Sequence, residues 1–403
     1  MRRFCLILAA LLLTSCRLGT PETIPETVPV RETVTSIDPA GLSEDTFSAD
    51  SGEHEVRMLF VNAGKADCVI LEADGKTYLI DTGEDSSVPQ ILAGLAYMGT
   101  TSIEAVFLTH TDKDHIGGWD AITRAYPVEK MVTASIMEAP RTYENMADGM
   151  LWETVEPGQS VAVGNDGLWL DVLCPITLYP EEENNNSLIL RLDAGEETVL
   201  FAGDMKELEE ADLLSTGFDL GCTVLKVPYH GRKDASGQAF LEACVPELAI
   251  ICSDTETDPD TAHKKVLSRL RDVGAEVRRT EDTELGWLVT LEGKYRYISE
   301  ARIAFGKEVD LQITDVSAEA QTVTIENRGE TVDIGGYFLY SERGSEVFVF
   351  PAGTVLEAGE SLTIGCVGTM ADIIWEGETS VWHKTKEDPA VLYDRWGNVL
   401  DER

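Results

Sequence analysis

Four side chains that can bind metal ions lie close together in the segment Thr109–Gly118. They are two imidazoles and two carboxylates: His110, Asp112, Asp114 and His115. Imidazole nitrogen and carboxylate oxygen are good ligands for borderline and hard divalent cations. The chain has 6 histidines in all, and two of them are in this segment. The segment therefore predicts a metal site on one loop, and a solvated polar loop is the alternative.

The elements that position this loop are predicted to be those of a mixed α/β domain over residues 55–305. The loop follows a short apolar run, Ala105–Leu108, which indicates a buried strand. Further runs typical of strands are Met58–Val61, Val69–Glu72, Thr77–Ile80, Leu168–Leu173, Ser187–Leu192, Thr198–Phe201, Val224–Val227 and Leu248–Ile251. Helices are predicted at Pro89–Met98, Glu207–Leu214, Gly237–Ala243 and His263–Val273.

The pattern changes after Lys307, where helical periodicity stops. Short alternating runs then follow, separated by turns rich in Gly, Asn and Pro. They are Leu311–Val316, Thr322–Ile325, Gly336–Leu339, Val347–Phe350, Ser361–Ile364 and Val391–Tyr393. Residues 306–403 are therefore predicted to form a small all-β sandwich domain.

The N-terminal segment has the features of a targeting signal. Two arginines precede the apolar run Phe4–Leu13, which is too short to span a bilayer. The run ends in Leu13-Thr14-Ser15-Cys16, which resembles a bacterial lipobox. We expect residues 1–16 to be a lipoprotein signal peptide with Cys16 as the lipidated residue; an ordinary secretory signal is the alternative. Residues 17–54 are rich in Pro, Thr and Glu and are predicted to be a disordered acidic tether. The protein is then expected to be extracytoplasmic, with the lipid anchor as its contact with the membrane.

Charge and cysteine content limit the function further. The 403 residues include 72 acidic and 32 basic side chains, for a formal net charge of −40. A surface this acidic repels polyanions, so strong nucleic-acid binding is not expected. Six cysteines follow Cys16, none in a Cys-x-x-Cys pair, so zinc-finger or thioredoxin chemistry has no support and buried free thiols are expected.

Several motifs resemble one known family in order along the chain. The string His110-Thr111-Asp112-Lys113-Asp114-His115 resembles the His-x-His-x-Asp-His signature of the metallo-β-lactamase superfamily, with Asp112 in place of the second histidine. This variant is typical of the soluble domain of ComEC-like proteins. The other matching segments are Val61–Cys68, Leu79–Gly83, Asn185–Ser187, Phe201–Asp204 and Lys226–Gly231. Residues after Val323 resemble the lamin-tail domain, an immunoglobulin-like sandwich. The resemblance implies an αββα metallo-β-lactamase sandwich followed by an all-β domain.

The resemblance also implies a dinuclear metal centre with six ligands. Asp204 would bridge two ions; Asp114, His115 and His230 would hold one ion, and His110 and Asp112 the other. A bound divalent ion lowers the pKa of water steeply, so that a metal-bound hydroxide would be the nucleophile. The oxygen-rich ligand set leaves the metal open between zinc and manganese.

The sequence departs from the family pattern at one point. The family usually supplies another histidine between the loop and the bridging aspartate, but none lies between His115 and His230. Asn186 is near the expected place as a candidate metal ligand or supporting residue, and Cys174 is a weaker candidate. A turn is the other interpretation of the asparagines.

Four more residues are candidates for roles around the centre. Asp81 is expected to support the metal loop by hydrogen bonding, unless it is only a turn residue. Asp67 and Lys65 lie on a loop that faces the site in the family, where Lys65 would contact a phosphate or stay solvated. His263 would contact substrate or the leaving group, and a surface position at the start of a helix is its alternative.

The predicted function is a surface-anchored dinuclear metal-dependent hydrolase of phosphodiester-type substrates. Two alternatives stay open. The same fold could hydrolyse a lactone, ester or thioester, or the protein could be a non-catalytic surface binding protein. The C-terminal domain is a candidate for binding a cell-wall or surface ligand.

Overall fold

The structure is a computed structural model, and it describes residues 37, 54–147, 149–165, 167–303 and 309–403. The predicted signal peptide, Cys16 and nearly all of the predicted tether lie outside these residues. Within the described residues, no helix is long and apolar enough to cross a membrane.

The larger part of the molecule is built from 15 strands and 7 helices. The strands are β1 (Glu55–Val61), β2 (Val69–Ala73), β3 (Lys76–Ile80), β4 (Ala105–Leu108), β5 (Lys130–Ala134), β6 (Leu151–Val155), β7 (Ser160–Ala162), β8 (Trp169–Cys174), β9 (Ile189–Ala194), β10 (Glu197–Phe201), β11 (Val224–Lys226), β12 (Leu248–Ile251), β13 (Glu276–Arg279), β14 (Gly286–Glu292) and β15 (Tyr295–Ala301). The helices are α1 (Val88–Met98), α2 (Lys113–Ile116), α3 (Trp119–Ala125), α4 (Pro140–Met146), α5 (Glu207–Ser215), α6 (Gln238–Cys244) and α7 (Lys264–Asp272).

These strands form two sheets that face each other. The first has the order β15-β14-β1-β2-β3-β4-β5-β6, and the second has the order β13-β12-β11-β10-β9-β8-β7. One apolar cluster contains residues of both sheets, among them Phe60 of β1 and Phe201 of β10, whose rings stack. Each sheet is therefore buried on its inner face by the other, and this packing forms the centre of the fold.

Helices cover the outer face of each sheet. A second cluster joins the first sheet to α1 and α3, and a third joins the second sheet to α5, α6 and α7. The layers are thus helices, sheet, sheet, helices, which is the αββα sandwich expected from the sequence. Strands buried on both faces need continuous apolar runs, and β4 and β12 have them.

Strand direction decides where the loops meet. The chain first forms antiparallel hairpins, and from β3 to β6 and from β10 to β13 the neighbouring strands are parallel. Parallel strands bring their carboxyl ends to the same edge of a sheet. The loops after β3, β4, β10 and β11 therefore lie together.

The C-terminal residues form three small sheets and no helix among the described residues. Their strands are β16 (Leu311–Ser317), β17 (Thr322–Asn327), β18 (Val332–Asp333), β19 (Phe338–Ser341), β20 (Val347–Val349), β21 (Val355–Leu356), β22 (Ser361–Cys366), β23 (Ile373–Trp375), β24 (Ala390–Tyr393) and β25 (Val399–Glu402). They enclose an apolar cluster of their own that includes Trp375 and Trp382. This all-β region agrees with the sequence pattern after residue 306.

The two regions also share a core. Phe338, Tyr340 and Val347 belong to the same apolar cluster as α1 and α3. The outer face of these helices is therefore covered by the C-terminal strands.

The six cysteines that follow Cys16 are free and buried. Burial raises the pKa of the thiols of Cys68, Cys174 and Cys252 well above the usual range. They behave as small apolar side chains, as the sequence predicts.

Candidate metal centre

The candidate centre is made by three loops at the carboxyl ends of parallel strands. The segment after β4 carries His110 and Asp112 in a loop and Asp114 and His115 in the short helix α2. The loop after β10 carries Asp204, and the turn after β11 carries His230. His110, His115, Asp204 and His230 are at most 2% exposed. The fold thus brings together all six residues that the resemblance implies as ligands.

The donor atoms converge on Asp204. Its Oδ2 lies 3.3 Å from His115 Nε2 and 3.1 Å from His230 Nε2. Asp114 Oδ2 lies 3.6 Å from His230 Nε2, and His110 and His115 have ring centroids 4.1 Å apart. Two overlapping groups, His110–His115–Asp204 and Asp114–His115–His230, each have ligand atoms within 4.8 Å of one another. This arrangement could hold two metal ions with Asp204 between them.

The donor atoms are also in a state that fits a metal. His115 Nε2, His230 Nε2 and Asp204 Oδ1 are buried and make no hydrogen bond among the described residues. A buried polar atom without a partner costs free energy, so such atoms are normally satisfied by a neighbour, a water or an ion. Three atoms of this kind at one point are therefore explained by a cation, and the residues present fit the metal implied by the fold.

Asp81 orients the first of these histidines. Its Oδ2 lies 2.7 Å from His115 Nδ1 and 2.8 Å from Thr109 Oγ1, and its Oδ1 accepts the backbone N–H of Thr109. A histidine that donates its Nδ1–H to a carboxylate keeps Nε2 free to bind a metal. Asp81 therefore makes hydrogen bonds to Thr109 and to His115, and its role at a metal site stays a prediction.

Asp67 holds the other side of the centre. Its Oδ1 lies 3.5 Å from His230 Nδ1, and its carboxylate forms an ion pair with Lys226. Lys226 is 3% exposed and donates to the carbonyl oxygen of Gly203, the residue before Asp204. Sequence analysis did not identify Lys226 as part of the site. Its position inside the apolar run Val224–Val227 could have indicated a buried ion pair, because lysine is rarely buried unless it is paired.

The electrostatic field of the centre favours positive charge. Burial alone would lower the pKa of His230, but the carboxylates of Asp204 and Asp67 outweigh it and raise the pKa to about 10. Burial likewise opposes the rise in the pKa of His115, which Asp204 and Asp81 raise well above its usual value. Without a cation these histidines would bind protons; a divalent ion would take the place of those protons.

Backbone strain marks the turn that carries His230. Tyr229 and His230 have φ values of 52° and 53°, in the left-handed region that residues other than glycine rarely adopt. Strain of this kind occurs where the surrounding structure imposes it, commonly at functional sites. Here it turns the His230 ring towards Asp204.

Three basic side chains lie beside the centre. Lys65 Nζ donates to Asp114 Oδ2 at 2.9 Å, so Lys65 faces the site. Lys206 Nζ and the guanidinium of Arg232 lie 5.5 and 5.4 Å from the centroid of the Tyr229 ring, next to His230. Each of these cations also forms an ion pair, Lys65 with Asp114, Lys206 with Glu182 and Arg232 with Asp258.

Two candidates have other roles in the structure. The amide of Asn186 bonds backbone atoms of Tyr179 and Glu182, so it holds its own loop instead of facing the ligands. His263 is the N-cap of α7, where its Nδ1 accepts the N–H of Lys265. The backbone N–H of His263 donates to the carbonyl oxygen of Gly231, so His263 lies behind the turn that carries His230.

A different asparagine contacts the ligands. Asn184 Nδ2 lies 3.1 Å from Asp112 Oδ2 and 3.3 Å from His110 Nε2. The sequence shows three asparagines in a row, Asn184–Asn186, and residue type alone does not distinguish them. The 3₁₀ turn Glu183–Asn186 decides which side chain faces the loop after β4.

Comparison with known proteins agrees with this description. Residues 61–253 match the family described as the metallo-beta-lactamase superfamily. ComE operon protein 3 of Bacillus subtilis is 27% identical over 252 residues, which cover 57% of this chain and 32% of that protein. Recombination protein 2 of Haemophilus influenzae is 27% identical over 246 residues, covering 59% of this chain and 28% of that protein. The chain thus spans about a third of the length of these curated relatives.

A solved structure is also similar in part. The metallo-beta-lactamase fold protein YhfI of Bacillus subtilis has a TM-score of 0.41 and 11% identity over 59% of this chain and 100% of that one. Taken with the layers and the ligand-bearing loops, the match over residues 61–253 shows that this chain contains a domain of the metallo-beta-lactamase fold, with low-identity similarity to the ComE-type competence proteins.

Proposed function

We propose that this protein is a metal-dependent hydrolase of phosphodiester-type substrates, held at the cell surface by a lipid anchor. The observation that carries the proposal is the convergence of the buried Nε2 atoms of His115 and His230 on the carboxylate of Asp204 at the edge of the sandwich. Hydrolytic metal centres need such a ligand set on a rigid frame.

The chain's own residues would act around two bound ions, zinc or manganese. When bound, the ions would lower the pKa of water and offset negative charge that develops on the substrate. Asp81 and Asp67 would hold the ring nitrogens of His115 and His230 in place. Lys65 would hold its charge at the open side of the centre, where it now pairs with Asp114.

The substrate class has two supports. One is the similarity to the ComE-type proteins, and the other is the group of cations Lys65, Lys206 and Arg232 beside the centre. A phosphodiester carries negative charge that such side chains attract. The long-range repulsion from the acidic surface favours short or extracellular phosphoesters over long nucleic acids.

The proposed anchoring rests on the sequence. Arg2 and Arg3 before an apolar run, and the lipobox-like residues ending at Cys16, support lipidation at Cys16. Mass spectrometry of the protein from its native membrane should show a diacylglyceryl-modified Cys16. A mature chain that begins elsewhere and carries no lipid would contradict this part of the proposal.

The hydrolase is tested by metal content and turnover measured together. Purified protein should contain about two metal ions per chain and hydrolyse bis(p-nitrophenyl) phosphate. His110→Ala and Asp114→Ala should each lower kcat by about 100-fold or more, because a ligand is lost. His383→Ala, in the C-terminal region, is the control and should keep wild-type activity.

Other outcomes would point to the alternatives. Two ions with no phosphodiester turnover, but with cleavage of a lactone, ester or thioester, would replace the substrate class. If no ion binds after Zn²⁺ or Mn²⁺ is supplied, the hydrolase proposal is wrong and a non-catalytic surface binding protein becomes the leading alternative.

A further inference from the structure

The two halves of the proposed centre have unequal numbers of ligands. One half has Asp114, His115 and His230 in addition to Asp204. The other half is built around His110. Among the described His, Cys, Asp and Glu residues, only His115 and Asp204 form a group with His110 in which all ligand atoms lie within 4.8 Å of one another. Asp112 is 3.6 Å from His110 Nε2 and about half exposed. Because divalent ions in proteins take at least four ligands, this half has room for a further donor besides water.

Asn184 stands where that donor is needed. Its side-chain amide is 3.3 Å from His110 Nε2 and 3.1 Å from Asp112 Oδ2, the two atoms that would bind the ion. The atom nearest to them is Nδ2, whose partial positive charge faces two acceptors. A half-turn about the Cβ–Cγ bond exchanges Nδ2 and Oδ1, so the same side chain can present its oxygen to a cation.

The backbone of Asn184 is fixed by the same residue that fixes Asp204. Ser187 Oγ donates to the carbonyl oxygen of Asn184 at 2.9 Å and accepts the N–H of Asp204 at 3.0 Å. One hydroxyl therefore sets the distance between Asn184 and the residue at the middle of the centre. A backbone held in this way places the Asn184 side chain beside the candidate ligands before any ion binds.

Its neighbours tie the segment down on two further sides. Glu183 accepts both the N–H and the hydroxyl of Thr111, the residue between His110 and Asp112. Asn185 Oδ1 accepts the N–H of Glu209 at the start of α5. The segment is thus attached to the loop after β4 and to the element after Asp204, and Asn184 is left facing the gap between them.

We propose that Asn184 supplies its side-chain oxygen to the metal position formed by His110 and Asp112. This inference rests on the proposed metal-dependent hydrolase. With Asn184, this position would have one nitrogen ligand, from His110, and three oxygen ligands, from Asp112, Asp204 and Asn184. The other position would have two nitrogen and two oxygen ligands. Oxygen ligands favour hard ions, so the two positions should differ in affinity and fill in separate steps.

The test measures metal binding, without reference to turnover. Mn²⁺ and Zn²⁺ are titrated separately into metal-free wild-type protein and into Asn184→Ala, Asn184→Asp and Asn145→Ala, with bound metal counted by elemental analysis. The wild type should bind two ions. Asn184→Ala should bind one as before and the other at least about tenfold more weakly. Asn145 is an exposed residue of α4, so Asn145→Ala should match the wild type.

Asn184→Asp distinguishes an oxygen ligand from a hydrogen-bond donor. Aspartate keeps an oxygen at this position but cannot donate to Asp112, so both ions should bind at least as tightly as in the wild type. Weak binding by Asn184→Asp equal to that of Asn184→Ala would overturn the inference, and so would wild-type binding by Asn184→Ala. Thermal melts without metal check that the variants are folded. A wild type that binds no ion would contradict the proposed function itself.

Discussion

Asp81 determines the hydrogen positions on two histidines at once. Its carboxylate accepts from His115 Nδ1 and from the hydroxyl of Thr109. Because that hydroxyl has donated its only hydrogen, its contact of 3.0 Å with His110 Nδ1 must be one in which the histidine donates. Both rings therefore carry a hydrogen on Nδ1, which leaves Nε2 as the nitrogen that would bind a metal.

Asp81→Asn should weaken metal binding by about 10- to 100-fold. An amide nitrogen in place of Oδ2 would face two other hydrogen-bond donors, His115 Nδ1 and the hydroxyl of Thr109. His115 could avoid this donor–donor contact only by moving its hydrogen to Nε2, the nitrogen that would bind the metal. Asparagine tolerates the left-handed backbone of this residue, whose φ is 61°, so the fold should persist. Metal titration followed by elemental analysis measures the effect.

Asp74→Asn is the matched control for this variant. Asp74 Oδ2 pairs with His54 Nδ1 at 2.8 Å, the same kind of contact away from the candidate ligands. The Asp74→Asn protein should bind metal with the same affinity as the wild type. Equal affinity for Asp81→Asn as well would show that Asp81 does not control the histidines.

Among the elements, α5 connects the parts of the centre that are distant in sequence. It begins three residues after Asp204, and its Glu209 accepts the N–H of Ser187 while its own N–H donates to Asn185. The next residue, Glu210, accepts the N–H of Gly237, just before α6. One short helix thus connects Asp204, the asparagine segment and the start of the next helix.

Glu210 should make stability depend on pH. It is 5% exposed, and burial raises its pKa to about 7, against 4.5 for the ordinary side chain. The folded state therefore binds the proton more tightly than the unfolded state, so this contribution is complete below about pH 4.5 and is lost as the pH rises towards 7. A shift of this size corresponds to roughly 3 kcal/mol.

Glu210→Gln should remove that dependence, because glutamine cannot ionise. Relative to the wild type, the variant should gain up to about 3 kcal/mol of unfolding free energy between pH 5 and pH 8. Urea unfolding at both pH values, at a fixed metal concentration, measures the difference. Glu242→Gln, at an exposed position of α6, should show no such gain. A Glu210→Gln curve parallel to that of the wild type would refute the assignment.

In the whole molecule, the C-terminal strands pack against the larger region formed by β1–β15. Their Phe338, Tyr340 and Val347 share one apolar cluster with α1 and α3, and Arg124 of α3 pairs with Glu378 at 3.0 Å. Gly397 reaches α1 directly: a Cβ there would lie 2.6 Å from Ala93 Cβ. From these contacts we expect the two regions to unfold together. Binding of a cell-wall or surface ligand by the same strands stays a prediction.

Gly397→Ala should therefore lower the melting temperature more than Gly353→Ala. Both glycines have left-handed φ values, 85° and 79°, so both substitutions carry a similar backbone cost. Nothing lies within 4 Å of a Cβ at Gly353, whereas Gly397→Ala adds a clash worth about 1–3 kcal/mol. Calorimetry of the two variants measures the difference. Equal melting temperatures would mean that the C-terminal strands do not pack firmly on α1.

The sequence by itself determined nine of the fifteen strands of the larger part, four of its helices and most of the candidate ligands. Short buried strands are readable as apolar runs, and β4, β10, β11 and β12 were predicted within a residue or so. His110 to His115 are recognisable because several donors with metal-binding chemistry are close together in the chain. Strands β5, β6, β7, β13, β14 and β15 were not predicted. Four of them, β6, β7, β13 and β15, lie at the edges of their sheets, where the apolar pattern is weaker.

Tertiary structure decided which side chains face the centre. His110, Asp204 and His230 are far apart in sequence and meet because parallel strands end at one edge. The choice of Asn184 over Asn186 depends on the direction of side chains in a 3₁₀ turn, and the burial of Lys226 depends on Asp67 opposite it. His263 became a helix cap because the turn at Gly231 fixes its backbone. Such roles depend on distances between elements, and residue types and local spacing do not specify those distances.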